Sequence, residues 1–216
     1  MMFFSDSGMG VDGPTRDGNA LIAAIEKRGA SMRTVTRNQG VWGAAERFQM
    51  SLETLLSVAD LERKKPGRKM LIWFGPGWPL FNGPGMRLDR KEEQGLFDTI
   101  VKVSTTLREA QITLYSLNAG NDFYKNFRGA ARWAHGVTPA QLVLQVFAEQ
   151  SGGEVMRNGS DVAAKVMNCL LDATAWYILS FKYPPADGAD EYHSIEIRMA
   201  TRGQTARTRT GYYAQP

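Results

Sequence analysis

The sequence predicts an α/β fold: a mostly parallel, Rossmann-like sheet flanked by helices, with an antiparallel β extension at the C-terminal end. Three observations predict it. Two near-continuous apolar runs of strand length, at 69–74 and 112–117, read as central strands covered on both faces. Segments of 3.6-residue periodicity precede, separate and follow them. From about residue 176 the rhythm changes to period two. The 216 residues fit one domain, with 1–175 as the α/β body and 176–216 as a β-meander packed on it.

The elements follow in order. Residues 1–5 and 8–12 are short extended runs around a Gly-containing turn and read as a hairpin. Asp17 precedes a short helix over 19–27, with Leu21, Ile22 and Ile25 on one face and Gly29 closing it. A basic, Gly-containing loop follows. A long helix over about 43–64 places Phe48, Leu52, Leu55, Leu56 and Ala59 in a buried stripe, and Pro66-Gly67 stops it. The strand at 69–74 ends at Gly75-Pro76-Gly77-Trp78-Pro79. A helix over 88–110 carries Leu96, Ile100, Val103 and Leu107 in register, and leads to the strand at 112–117. Residues 118–136 form a polar and aromatic loop. Thr138-Pro139-Ala140-Gln141 is a capping box with proline at the first helical position, opening a helix that stops at Gly152-Gly153. A short strand at 154–157 follows, then a helix capped by Ser160 that runs through Val166, Leu170 and Leu171. Runs at 176–183, 192–200 and 205–210 alternate, with Pro184-Pro185 and Asp187-Gly188 between the first two. This is an antiparallel meander whose Ile178, Leu179, Phe181, Ile195 and Ile197 call for a buried face.

Composition excludes several classes. With 43% hydrophobic and 22% charged residues, the chain is neither disordered nor collagenous nor a coiled coil as a whole. Its single cysteine, Cys169, forms no internal disulfide, and its place in an apolar helical rhythm marks a buried, inert thiol. No apolar run approaches the roughly 20 residues of a membrane span. The first six residues lack the basic and apolar regions of a signal peptide. The net charge of +4 concentrates at 62–69 and in four arginines at 198–209. These read as a helix end followed by a turn, and as a solvated strand face.

Several segments together resemble one family. Residues 68–79 (RKMLIWFGPGWP), 147–154 (FAEQSGGE), 176–184 (WYILSFKYP), 192–198 (YHSIEIR) and 207–214 (RTRTGYYA) resemble, in order and spacing, motifs of acidobacterial proteins related to von Willebrand factor type A domains. The resemblance covers residue 17 to the C-terminus. It implies a mostly parallel sheet wrapped by helices, adhesion or protein interaction without enzymatic activity, and export of full-length members. It also implies a strand order of 3-2-1-4-5-6, in which residues 1–5 and 8–12 match strands two and three. On that basis the chain is expected to be an N-terminal truncation lacking the first strand and helix, with self-association through an incomplete sheet.

Many type A domains hold a divalent cation in an Asp-x-Ser-x-Ser loop, helped by a Thr and a second Asp. Hydroxyls and carboxylates suit a hard cation. In Ser5-Asp6-Ser7-Gly8-Met9-Gly10 the two serine positions are Gly8 and Gly10, and Gly75 stands where the second Asp belongs. Nothing singles out Thr34 or Thr36. No metal ligand and no cofactor are expected. Gly75-Pro76-Gly77 makes a poor phosphate loop, since proline removes amide donors and Leu80 replaces the third glycine. His135 and His193 lie in no G-x-S-x-G or H-E-x-x-H context, so no catalytic residue is assigned. Asp89, Glu92 and Glu93 read as dipole-favoured acids, and Asn158-Gly159-Ser160 as a helix cap rather than a glycosylation site. Trp73 reads as core. A partner-binding rim is expected at Trp78 and Phe81, joined by Phe123, Tyr124 and Trp133 of the long loop. The loop's aromatics also suit base stacking beside Lys125, Arg128 and Arg132, or simply pin the loop. The expected function is a non-enzymatic interaction module without an intact metal site. The alternatives are an enzyme using the crevice at the strands' carboxyl ends, or a basic nucleic-acid binder.

Overall fold

A computed structural model describes residues 1–5, 8–29, 40–75, 89–118, 143–156 and 161–214. Its elements are β1 (Met2–Ser5), β2 (Gly8–Val11), α1 (Gly18–Gly29), α2 (Gly40–Arg63), β3 (Lys69–Gly75), α3 (Arg90–Glu109), β4 (Ile112–Asn118), α4 (Val143–Ser151), β5 (Val155–Met156), α5 (Val162–Thr174), β6 (Glu191–Ser194) and β7 (Gly211–Ala214). The class is mixed α/β, with a three-stranded parallel sheet flanked by helices and a separate antiparallel pair near the C-terminus.

β4 organises the body. It runs parallel to β3 from the Lys69↔Ile112 pair to Gly75↔Asn118, and parallel to β5 at Ser116↔Val155 and Leu117↔Met156. The order is β3-β4-β5. Side chains 112–117 are all buried, as the apolar run requires. Ile112 and Leu114 join Leu52, Leu55, Ile100, Val103, Leu107 and Phe147 in the main core. Tyr115 alternates to the face covered by α5, where its hydroxyl donates to Asp172.

Helix ends explain how this core closes. Asp89 caps α3: its carboxylate accepts from the Lys91 and Glu92 amides, and Glu92 accepts in return from the Asp89 amide. Such a cap is worth about 1 kcal/mol. The acids of this first turn therefore have the structural role their positions suggest. At the other end of α4, Gly152 adopts φ +84°, and the Gly153 amide donates back to the Ala148 carbonyl at 2.9 Å. Ser151 Oγ accepts the Leu114 amide at 2.8 Å and donates to the Ala148 carbonyl. The Gly-Gly pair thus turns the chain directly against β4.

Four expectations need correction. β3 reads as a central strand but has one strand neighbour, β4, among the described residues. Its side chains 69–72 are half-buried and Phe74 is exposed, although Trp73 enters the core as expected. β1 and β2 do form the expected hairpin, Met2↔Val11 to Ser5↔Gly8, and pair with no other described strand. α1 forms where its pattern places it, yet Leu21, Ile22 and Ile25 are exposed. A local pattern specifies a helix; it does not supply the surface that covers its apolar face.

The third correction is the meander. Residues 176–183 form no strand, and 205–210 lie before β7 rather than in it. Only β6 and β7 pair, from Glu191↔Ala214 to Ser194↔Gly211, with the Ile195 amide reaching the Thr210 carbonyl. Alternation fixes which side chains share a face, whereas a strand also needs a hydrogen-bonding neighbour. β7 is anchored: Tyr213 and Ala214 are buried, and Tyr213 meets Phe97 of α3 edge-to-face at 5.9 Å. The fourth correction concerns α5, which is capped by Asp161 accepting from the Ala164 amide; Ser160 lies outside the described residues. Among the described residues no helix is long and apolar enough to cross a membrane.

Candidate functional site

The expected rim residues Trp78, Phe81, Phe123, Tyr124 and Trp133 lie outside the described residues, as do Asp6, Ser7, Pro76, Gly77 and His135. The described residues bring together three other features: an apolar strip, a paired polar cluster and a basic cleft.

The strip begins where α5 ends. Ala175 is extended, with φ −132° and ψ 104°, and leads into 176–183. Tyr177 is 91% exposed, and Ile178 and Leu179 are each 71% exposed. Trp176, Phe181 and Tyr183 are exposed too. The rings of Phe181 and Tyr183 lie 6.1 and 5.9 Å from that of Tyr212, so the end of the strip rests beside β7. Met167, Leu170 and Leu171, at helical spacing on α5, are also exposed. A face expected to be buried is instead exposed apolar surface.

The polar cluster fastens the C-terminal segment to the sheet. Arg207 pairs with Glu154 at 2.6 Å and with Asp172, and its guanidinium lies 5.7 Å from the centre of the Tyr115 ring. The Tyr115 hydroxyl donates to Asp172 at 2.9 Å. Arg68 donates to the Thr113 hydroxyl and to the Asp172 carbonyl. Burial raises the Tyr115 pKa above its ordinary value, while Arg207 and Arg68 pull it back. Burial likewise raises the Cys169 pKa, which keeps it a protonated thiol beside Met156. Each charge here has a partner, so the cluster reads as a structural pin. His193 is structural as well, between Glu191 and the Tyr212 ring.

The basic cleft lies where α3, α4 and β7 meet. Ser104, Thr105 and Arg108 of α3, Gln150 of α4, and Arg209 with residues 211–213 line it. Gln150 is held on both sides: it accepts from Ser104 Oγ and donates to Tyr213 Oη at 3.0 Å. Arg209 is half-buried, and its pKa falls to about 10, through burial first and then the charges of Arg108 and Arg68. Among the described residues, no carboxylate forms an ion pair with Arg108 or Arg209. In the sequence, 198–209 reads as a solvated face, and the pair of Arg108 with Arg209 does not show there. The available signal was that Arg209 stands two residues before the apolar Gly-Tyr-Tyr-Ala run, where a strand carries it inward.

Among the described residues, no group of three or more His, Cys, Asp or Glu side chains is placed to hold a metal ion. Comparison with family models, curated proteins and solved structures gives no match.

Proposed function

We propose that this chain is a von Willebrand A-like interaction module that engages a protein partner without a metal-ion-dependent adhesion site. The observation that carries the reading is the exposed strip Trp176, Tyr177, Ile178, Leu179, Phe181 and Tyr183. Large contiguous apolar surface on a folded protein marks an interaction site, and aromatic residues dominate the energetics of such contacts. The parallel order β3-β4-β5 with helices on both faces agrees with the body of such a module. Gly8, Gly10 and Gly75 bring no side-chain oxygens to the positions where the adhesion motif needs them.

The occupant is a polypeptide that pairs as a strand. The strip alternates at period two, holds no proline before Pro184 and has no strand partner among the described residues. Such a segment offers main-chain donors and acceptors together with alternating side chains, the two requirements of strand addition. The test is affinity capture from the source organism with the full chain and with an Ile178→Asp/Leu179→Asp variant in parallel. A partner held by the parent and released by the variant, at equal thermal stability, supports the reading. A capture profile identical for both chains overturns it.

A further inference from the structure

We propose that the cleft between Arg108 and Arg209 is a binding site for a phosphate group, presented as the free ion or as a phosphate ester. Arg63 has Asp60 and Glu109 as carboxylate partners, Arg198 has Glu196, Arg207 has Glu154 and Asp172, and Arg68, with no carboxylate, donates to the Thr113 hydroxyl and the Asp172 carbonyl. Arg209 is half-buried beside β7 and lines one cleft with Arg108, and the charges of Arg108 and Arg68 both disfavour its protonation. Half-burying a cation next to another cation is unfavourable unless an anion offsets it. None of the cleft-lining residues is acidic.

The donors match an oxyanion. Each guanidinium presents a rigid fork of N–H groups, which fits two oxygens of a phosphate in bidentate fashion. Thr105 adds a hydroxyl. Its neighbours Thr99 and Thr106 donate to helix carbonyls four residues back, at 2.8 Å each, whereas the Thr105 hydroxyl makes no bond within the described residues. The wall is fixed in advance: Gln150 is clamped between Ser104 and Tyr213, and Tyr213 packs on Phe97. Pre-organised donors lose little freedom when a ligand arrives. The site touches the end of the apolar strip at Tyr212, but none of its donors belongs to the strip, and it stands independently of the protein-partner reading.

The test is calorimetric titration of the full chain at pH 7.5 with inorganic phosphate and with methyl phosphate, at constant ionic strength set by chloride. Saturable binding at one site per chain is expected. Tighter binding of methyl phosphate marks a site for phosphate carried on an organic body; tighter binding of inorganic phosphate marks a site for the free ion. Arg209→Gln and Arg108→Gln should each weaken binding about tenfold or more, the loss of one charge-assisted interaction. Arg198→Gln, outside the cleft, should leave it unchanged. Removing a half-buried unpaired cation should also leave the melting temperature of Arg209→Gln in chloride at or above the parent's, so lost binding is not lost folding. Should Arg209→Gln fail to fold, the exposed Arg108→Gln carries the comparison. Phosphate that stabilises no better than chloride, or cleft variants that bind within about twofold of the parent, would overturn the proposal.

Discussion

Leu179→Asp separates a buried meander from an exposed strip. Full burial of a leucine is worth about 1.5–3 kcal/mol. Leu179 is 71% exposed, so less than a third of that is available to lose. The substitution should therefore cost under about 1 kcal/mol, and a chain of this size loses about 2–4 °C of melting temperature per kcal/mol. Phe147 is the calibrating site: it is fully buried in the core against β4, and Phe147→Ala should cost about 3–5 kcal/mol, or roughly 6–20 °C. Thermal unfolding followed by circular dichroism, with both variants beside the parent, measures the contrast. Leu179→Asp destabilising as much as Phe147→Ala would show that 176–183 is covered within the fold. The strip would then not be free to meet a partner.

Other consequences are equally direct. A Cβ on Gly153 would overlap the Leu114 carbonyl, so Gly153→Ala must push α4 off β4, whereas a Cβ on Gly203 (φ +85°) meets open space. In parallel melts, Gly153→Ala should lose more than about 3 kcal/mol, beyond the usual overpacking penalty, and Gly203→Ala about 1–2. Asp172→Ala removes the acceptor of the Tyr115 hydroxyl and a partner of Arg207, and denaturant titration should show a loss of about 1–3 kcal/mol. Mg²⁺ or Mn²⁺ should leave the melting temperature unchanged. Saturation at 100 times a dissociation constant would add about 2.7 kcal/mol, and a shift of that size, abolished by Asp6→Ala, would restore the metal site.

The parts of the fold legible in the sequence are those whose cause is local or whose partners are near in the chain. The run at 112–117 names β4 because a strand buried on both faces must be apolar throughout. Asp89, Glu92 and Glu93 mark the start of α3 as dipole-favoured acids because that effect is confined to one turn, while the capping box of Asp89 and Glu92 shows only in the structure. Gly152-Gly153 marks the end of α4 for the same reason. The run at 69–74 was equally apolar, yet β3 has one strand neighbour among the described residues. Composition registers the demand for burial and not whether a neighbour meets it. The same distinction separates the expected meander from the exposed strip, and the apolar face of α1 from its solvent contact. Of the candidate sites, the aromatic rim at Trp78, Phe81, Phe123, Tyr124 and Trp133 rests on the sequence alone. The basic cleft escaped the sequence because Arg108 and Arg209 are far apart in the chain and meet only when β7 packs on α3. A charge run read one residue at a time looks solvated; its exception appears when three elements converge.

Residues 176–183 are proposed to contact another polypeptide. Replacing Ile178 with p-benzoyl-phenylalanine in the full chain, and irradiating cells of the source organism, would trap such a contact. A covalent adduct of higher mass should form from position 178, and none when the same photoreactive residue replaces the exposed Arg202 in the turn at 200–203. Irradiated chains that remain at their own mass with the label at 178, or adducts equally abundant from both positions, would contradict it.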